Sequence, residues 1–265
     1  MDRGEFQIEI CAGGVESCQA ALQGGADRVE LCAALPEGGI TPSYGEIKVA
    51  REVLDDKAAM HVMIRPRGGD FVYSRLELDR MAVDIDVCRL LGADGVVFGC
   101  LLPDGSIDEQ ACTRLMRHAR GMNVTFHRAF DLCRDPLDSL TTIAQLGFNR
   151  ILTSGQQPRA EQGASLLRQL HEQAQGRIHI MAGCGIDESN IARLCQDTGL
   201  REFHFSARVP RPSRMQQAST GIYMGTPRLG GDEGSIEVTS AARVEAAIGQ
   251  LLQLPEPHSA TRKFN

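Results

Sequence analysis

The sequence has no excess of positive charge, and this absence argues against one class of partner. Its 28 Lys and Arg residues are outnumbered by 34 Asp and Glu residues, which gives a formal net charge of -6. A general nucleic-acid binder normally presents a basic face. We therefore expect no nucleic-acid partner.

Long apolar runs and clustered cysteines are also missing. No run approaches the ~20 apolar residues that a membrane-spanning helix needs, and the charged residues 1–5 (MDRGE) do not resemble a secretory signal. The 9 cysteines are spread without a CxxC pair, which is typical of reduced thiols in a cytosol rather than of a disulfide framework. We expect a soluble, cytoplasmic protein that does not bind membranes.

What the chain does contain is a regular alternation of short β-rich runs and amphipathic helical stretches. The predicted strands lie near 6–11, 28–32, 59–65, 95–99, 123–127, 149–153, 178–182 and 202–206. The predicted helices lie near 14–23, 43–54, 75–91, 108–120, 136–146, 160–175, 188–196 and 239–252. Eight βα units in about 250 residues predict an α/β protein with the (β/α)8 TIM-barrel fold.

A doubly wound open sheet is the alternative fold. It would have fewer strands and usually a Gly-rich first turn, but residues 11–14 (CAGG) contain no GxGxxG motif. We therefore favour a single barrel domain over residues 1–255, with a flexible C-terminal tail at 256–265, and we predict no organic cofactor.

One stretch after the eighth predicted strand breaks the alternation. Residues 207–238 are rich in Pro, Gly and Ser and predict a long loop. Loops of that length are usually functional or disordered. This one would hang over the barrel mouth, so we predict a lid or a contact surface for a second subunit, with disorder as the alternative.

Two of the predicted strands end in the same triplet, an acid and a thiol separated by one apolar residue. These triplets are Glu9-Ile10-Cys11 and Glu30-Leu31-Cys32. Because side chains alternate along a strand, each Glu shares a face with its Cys. Carboxylates are costly to bury unless they are paired. The pattern predicts strands that turn apolar groups outward to the helices and charged groups inward to a site at one mouth.

The functional face of a (β/α)8 barrel lies at the carboxyl ends of its strands, and this rule selects two groups of candidate residues. The predicted catalytic residues are Glu30, Arg65, His127, Asp131 and His204. The predicted ligand-binding residues are Glu9, Arg67, Ser154, Gly183, Gly185 and Ser206.

The segment 64–70 (IRPRGGD) is the part of the chain best suited to an anion. Arg65 and Arg67 are predicted to project to the same side, and a guanidinium fork suits a carboxylate or a phosphate. The alternative is an ion pair between Arg65 and Glu30 on the adjacent strand, and the two interpretations are compatible.

The fifth strand ends at His127, with Asp131 four residues later. An imidazole at the mouth that is oriented by a carboxylate could serve as a general base or acid. The alternative is a buried histidine that only hydrogen-bonds a neighbour. The small residues that follow strands six to eight resemble the phosphate-binding end of many barrels, although tight turns also use glycine.

Cys11 and Cys32 are predicted to lie at matching heights on neighbouring strands, roughly 5 Å apart between backbones. Two thiolates at that separation could hold Cu(I), which favours sulfur ligands and a low coordination number. The alternative is that both are small packing residues, since free cysteine is common in cores.

Several longer strings together strongly resemble the CutC family of copper homeostasis proteins. They are residues 9–11 (EIC), 27–34 (DRVELCAA), 37–43 (EGGITPS), 64–71 (IRPRGGDF), 125–131 (TFHRAFD) and 152–156 (LTSGQ). The resemblance runs from the first strand to about Ser206 and implies a cytoplasmic, dimeric barrel connected with copper. It also implies that Cys11 and Cys32 are the Cu(I) ligands. The chain departs from the family pattern at Cys184, an extra thiol beside glycines, and its match to the family becomes loose after Ala207.

The sequence leaves two functions open. The first is a cytosolic copper homeostasis protein that binds Cu(I), as a homodimer. The alternative is an enzyme, a lyase, isomerase or hydrolase, that acts on a small anionic or phosphorylated metabolite, because a copper carrier does not need two Glu, two Arg and two His at one mouth. Both require the charged residues to converge on one pocket. A non-catalytic interaction module is less favoured, since it gives no reason for charges inside a barrel.

Overall fold

A computed structural model, which describes residues 2–216 and 234–255, contains a closed barrel of eight parallel strands in sequential order. These strands are β1 (Gln7–Ala12), β2 (Arg28–Leu31), β3 (Ala59–Met63), β4 (Gly95–Phe98), β5 (Asn123–Phe126), β6 (Arg150–Thr153), β7 (His179–Gly183) and β8 (Glu202–Phe205). The ring closes because β8 pairs with β1 in parallel. The predicted (β/α)8 fold is confirmed, with each strand within a few residues of its predicted bounds.

A helix follows each barrel strand. The helices are α1 (Val15–Gln23), α2 (Tyr44–Leu54), α3 (Arg75–Leu90), α4 (Glu109–His118), α5 (Pro136–Gln145), α6 (Ala164–Ala174), α7 (Ile191–Thr198) and α8 (Ala241–Leu252). Local chemistry sets several of their starts. Ser74 and Glu77 form a capping box on α3, and the Asp135 carboxylate caps α5, where Pro136 occupies the first turn. No helix in the described ranges combines the length and apolar character that a membrane span needs.

The hydrophobic core lies between the barrel wall and the helices. Apolar strand residues such as Ile8, Ile10, Val29 and Leu31 are fully buried in one cluster with side chains of the surrounding helices. The alternate residues of the same strands point inward. This arrangement confirms that the strands turn apolar groups toward the helices and polar groups into the barrel.

The base of the barrel interior is filled by ion pairs. Strand register places Glu9 opposite Arg28 on one side and opposite His204 on the other. The Arg28 guanidinium bridges the carboxylates of Glu9 and Glu202, and Arg150 Nε donates to Glu202 at 2.5 Å. These residues are at most 8% exposed. Each charge is therefore compensated where water cannot reach it, as burial requires.

The region predicted as a loop over 207–238 is not a loop at its two ends. Strands β9 (Arg208–Pro212) and β10 (Ser235–Thr239) form a two-stranded antiparallel sheet outside the barrel. Prolines are tolerated in β9 because a two-stranded sheet leaves each strand one edge without backbone partners. Residues 217–233, which hold the rest of the predicted lid or subunit contact, lie outside the described residues, as does the predicted tail at 256–265.

Candidate functional site

A cavity of about 620 Å³ opens at the carboxyl ends of the barrel strands. Eight of the predicted site residues line it: Cys11, Glu30, Arg65, His127, Asp131, Gly185, His204 and Ser206. Five others do not line it: Glu9, Cys32, Arg67, Ser154 and Gly183. The convergence of acids, guanidinium and imidazoles from distant parts of the chain is therefore observed.

The thiol, carboxyl and imidazole of Cys11, Glu30 and His204 form a compact group on one wall. One ligand atom from each residue lies within 4.8 Å of the other two. Register explains this, because Cys11 pairs with Glu30 rather than with Cys32. The prediction of matching heights for the two cysteines is therefore wrong: Cys32 lies beyond the end of β2, two residues past the position opposite Cys11, because neighbouring barrel strands are staggered.

His204 is held between two carboxyl groups. Its Nδ1 lies 2.7 Å from Glu9 Oε1, and its Nε2 lies 3.7 Å from Glu30 Oε2. Burial alone would lower the pKa of His204, but Glu30, Cys11 and Glu9 act oppositely and raise that pKa well above its usual value. Burial would likewise raise the pKa of Glu9, yet Arg28 and His204 hold it well below its usual value. His204 and Glu9 therefore form an imidazolium–carboxylate pair, of which His204 lines the cavity and Glu9 does not.

The thiols of Cys11 and Cys32 and the carboxyl of Glu30 differ in how strongly they hold their protons. Burial raises the pKa of the Glu30 carboxyl to about 8, and the neighbouring Cys11 adds to that rise. A hydrogen bond from Cys32, together with nearby His204, holds the pKa of Cys11 well below its usual value despite burial. The same bond raises the pKa of Cys32 well above its usual value, with burial acting in the same direction. Cys11 is therefore the more acidic thiol of the pair, and Cys11 lines the cavity.

Arg65 also lines the cavity, and its guanidinium is held by backbone carbonyls. Its Nη1 donates to the carbonyls of Glu37 and Gly39 at 2.9 and 3.1 Å, and its Nη2 donates to the Gly69 carbonyl at 2.7 Å. Its Nε has no hydrogen-bond partner within the described residues. The predicted ion pair with Glu30 is absent from the described part of the chain, where the guanidinium instead donates to carbonyls of the loops after β2 and β3.

His127 is buried next to Arg65 with the Phe71 ring against it. The His127 and Phe71 ring centroids are 4.8 Å apart, and the Arg65 Cζ lies 4.9 Å from the Phe71 centroid. Burial, with repulsion from Arg65, lowers the pKa of His127 to about 3. Its Nδ1 accepts from the Ala129 backbone N–H at 3.3 Å, and its buried Nε2 has no partner within the described residues.

Asp131 does not orient His127, contrary to the predicted acid–base pair. Its carboxylate accepts from Thr153 Oγ1 at 2.5 Å, from the Ser154 backbone and hydroxyl at 3.0 Å, and from the Gln156 backbone at 3.1 Å. Arg128 Nε completes the set at 2.8 Å. Asp131 and Ser154 thus hold the turns after β5 and β6 together. Asp131 lines the cavity, whereas Ser154 does not.

Two other predicted ligand-binding residues have different surroundings from those expected. Arg67 forms ion pairs with Glu77 at 2.6 Å and Asp70 at 3.0 Å, outside the cavity. Gly183 is packed inside the barrel, where an added Cβ would lie 2.5 Å from Leu152 Cδ1. Its small size is therefore explained by packing.

The sequence analysis did not assign roles to Arg28, Arg150 and Glu202, which neutralise the base of the barrel, or to Phe71. Arg28 and Glu202 precede Glu30 and His204 by two residues, so strict alternation along a strand would have placed them inward. Phe71 lies in the loop after β3, where no periodicity operates. The alternation of side chains along a strand could therefore have predicted the buried ion pairs at the base of the barrel. It could not have predicted the contact made by Phe71.

The comparisons with known proteins agree on a family. The model of the CutC family matches residues 6–209. A family protein CutC from Bacteroides thetaiotaomicron is 56% identical over 241 residues, covering 91% of this chain and 96% of that protein. The human protein named copper homeostasis protein cutC homolog is 46% identical over 239 residues, covering 90% of this chain and 86% of that protein.

A solved structure extends the agreement to the fold. The crystal structure of a copper homeostasis protein CutC from Streptococcus agalactiae superposes with a TM-score of 0.73 at 37% identity. The match covers 76% of this chain and 98% of that one. With a family model that spans most of the barrel and relatives this similar, the chain belongs to the CutC family.

Proposed function

We propose that this protein acts in copper homeostasis by binding Cu(I) through the thiolates of Cys11 and Cys32 at the barrel mouth. The observation that carries the proposal is that Cys11 packs against a small buried cluster that contains Cys32 and Met63. The names of the human and streptococcal relatives, which refer to copper homeostasis, support it.

The donor chemistry favours a soft, monovalent ion. Cu(I) prefers thiolate and thioether sulfur, and the low pKa of Cys11 makes a thiolate available near neutral pH. The harder donors nearby are less suitable, because Glu30 retains its proton, with a pKa of about 8, and His204 is held as an imidazolium. Of the compact group of Cys11, Glu30 and His204, we therefore assign only the thiol to copper. We add Cys32, whose raised pKa means that copper would displace the thiol proton on binding.

The test is a titration of the reduced apoprotein with Cu(I) against a competing chelator. We expect the Cys11→Ser/Cys32→Ser variant to lose tight binding, because both soft ligands are removed. A Cys184→Ser variant is the matched control. Cys184 lines the same cavity, but its thiol donates to the Pro158 carbonyl at 3.1 Å and lies apart from the pair. Wild-type affinity in the double variant would disprove the proposed site.

We also propose that the protein works in the cytoplasm. All 9 cysteines are free thiols, as expected in a reducing compartment. Fractionation of cells that produce the protein should recover it in the cytosolic fraction. Recovery from an extracytoplasmic fraction would contradict this.

The proposed homodimer is supported by an apolar stripe on α3. Leu76, Val83 and Leu90 recur every seven residues and are 78%, 60% and 78% exposed. Spacing of seven puts them on one helix face, and a second copy of the chain would cover that face. We expect light scattering to report a dimer for the wild type and a monomer for Val83→Glu. The control is Val49→Glu, at an exposed position on α2, and this variant should stay dimeric. A monomeric wild type would exclude the proposal.

A further inference from the structure

Two buried N–H donors on one wall of the cavity lack acceptors within the described residues. They are Arg65 Nε and His127 Nε2. Both residues line the cavity, and they are only 6% and 3% exposed. A buried donor that stays unsatisfied is costly, and native proteins satisfy nearly all such groups. A pair of them facing one cavity indicates a ligand that supplies acceptors.

The charge of Arg65 points to an anionic ligand. Three of the four hydrogens on its Nη atoms are donated to backbone carbonyls of residues 37, 39 and 69, and carbonyls carry no compensating charge. No carboxylate of the described residues forms an ion pair with Arg65. A buried guanidinium without a counterion is unfavourable, and a ligand anion would compensate it.

His127 contributes a neutral donor. Because Nδ1 accepts from the Ala129 N–H, the ring hydrogen must reside on Nε2, the nitrogen without a partner. The low pKa of His127, about 3, agrees with a neutral ring at physiological pH. Nε2–H can therefore donate to a ligand oxygen at any pH in the cellular range.

The Phe71 ring keeps the two donors together. The Arg65 Cζ lies 4.9 Å from the centroid of this ring, and the His127 ring centroid lies 4.8 Å from it. The backbone contacts of both groups limit their movement further. We name this surface, composed of Arg65, Phe71 and His127, the donor wall.

We propose that the donor wall binds the carboxylate group of a small organic acid, with one oxygen on Arg65 Nε and the other on His127 Nε2. One uncompensated positive charge and two nitrogen atoms without a partner among the described residues match a monoanion with two oxygens. A phosphate would bring more charge and more acceptor oxygens than the wall offers. The cavity of about 620 Å³ has the size of small-molecule sites. Leu132, Leu152 and Ile186 also line it and can contact the organic part.

This inference goes beyond copper binding, and the two sites can be tested separately. The proposed copper ligands are Cys11 and Cys32, whereas the donor wall belongs to the loops after β3 and β5. Carboxylate binding should therefore persist in Cys11→Ser/Cys32→Ser, and Cu(I) affinity should persist in Arg65→Gln. If one proposal is disproved, the other can therefore still be tested.

The test uses the full-length protein labelled with ¹⁵N-histidine. Sodium benzoate and sodium pyruvate are titrated while the His127 Nε2–H resonance is followed by NMR. We expect a saturable downfield shift with at least one of these acids, because the free N–H acquires an acceptor. Benzamide and pyruvamide, which have nearly the same shape without the charge, should bind about tenfold more weakly or not at all.

Variants locate the site. Arg65→Gln and His127→Phe should each weaken carboxylate binding about tenfold or more, measured by calorimetry. Arg67→Gln is the matched control, because it removes a guanidinium only two residues away that faces Glu77 outside the cavity. Circular dichroism checks folding. If Arg65→Gln does not fold, His127→Phe and the comparison of acids with amides decide the question.

Several results would overturn the proposal. The absence of a saturable shift with both acids, or equal affinity for acids and amides, would remove the basis for a carboxylate site. If Arg67→Gln weakened carboxylate binding as much as Arg65→Gln does, the binding would be due to general surface charge. Tighter binding of inorganic phosphate than of either acid would make the ligand class wrong.

Discussion

The ionic base of the barrel predicts a large effect from removing one charge at Glu202. Its carboxylate accepts from Arg150 Nε at 2.5 Å and from Arg28 Nη2 at 3.1 Å, and its side chain is only 7% exposed. Glu202→Gln keeps the shape and removes the charge. Arg28 retains Glu9 as a partner, but Arg150 has no other carboxylate partner in the described part of the chain. The variant therefore leaves a buried, unpaired guanidinium.

The expected cost follows from that unpaired charge. Breaking a buried ion pair by removing one partner costs about 3–5 kcal/mol. For a protein of this size, each kcal/mol lowers Tm by about 2–4 °C, so the melting temperature should fall by roughly 6–20 °C. Glu188→Gln is the matched control. Glu188 pairs with Arg243 at 2.9 Å, but these side chains are 36% and 33% exposed, and such a pair contributes about 0–1 kcal/mol.

The assay is urea unfolding, with thermal melts, across a pH series. Arg150 and Arg28 hold the pKa of Glu202 below its usual 4.5, although burial opposes them. A lowered carboxyl pKa stabilises the fold above the unfolded value, and that stabilisation is lost as pH falls through the folded value. The stability gap between wild type and Glu202→Gln should thus be constant above pH 4.5 and should shrink in more acidic solution.

This reasoning would be refuted if Glu202→Gln lowered the free energy of unfolding no more than Glu188→Gln does. A second outcome would also refute it. Adding Arg150→Met to Glu202→Gln removes the stranded guanidinium, so the double variant should recover part of the lost stability. If the double variant loses as much stability as the single variants Glu202→Gln and Arg150→Met lose together, or more, the unpaired charge is not the cause.

Three further predictions concern the cavity and its surroundings. Iodoacetamide at neutral pH should alkylate Cys11 before Cys32, because the pKa of Cys11 is lowered and that of Cys32 is raised; equal rates by mass spectrometry would contradict this. The ¹⁵N shifts of His127 should remain those of the neutral Nε2–H form from about pH 8 to pH 5, since its pKa is about 3, and a titration in that range would be inconsistent. Gly183→Ala should lower the free energy of unfolding by about 1–3 kcal/mol, because the new Cβ would lie 2.5 Å from Leu152 Cδ1; an unchanged denaturation midpoint would show that Leu152 moves freely.

The barrel could be predicted from the sequence because its signals are local. Each strand is a short apolar run, and each helix has its own periodicity and cap. The predicted bounds of these elements therefore lie within a few residues of the observed ones. The sheet of β9 and β10 depends instead on a pairing between Arg208 and Thr239. Those partners are far apart in the chain, and the intervening Pro and Gly residues favour a loop when judged locally.

The contacts of individual site residues were harder to predict because loops decide them. Alternation along β3 directed Arg65 inward, but carbonyls of the loops after β2 and β3 hold its guanidinium at the cavity wall. Sequence proximity linked His127 to Asp131, yet Asp131 turns to the backbone of the turn after β6. Loop conformations depend on many weak contacts, and no periodicity in the sequence reports them.

The repeated Glu-x-Cys triplet shows how far an identical pattern can mislead about proximity. Equal motifs on adjacent strands imply equal heights only if the sheet is unstaggered, and a sheet that closes into a barrel cannot be. The stagger between β1 and β2 is two residues, so Cys11 faces Glu30. That offset brings an acid and an imidazole next to the cavity thiol. It is also why Cys11 alone of the two cysteines has His204 beside it, and why the two thiols differ in acidity.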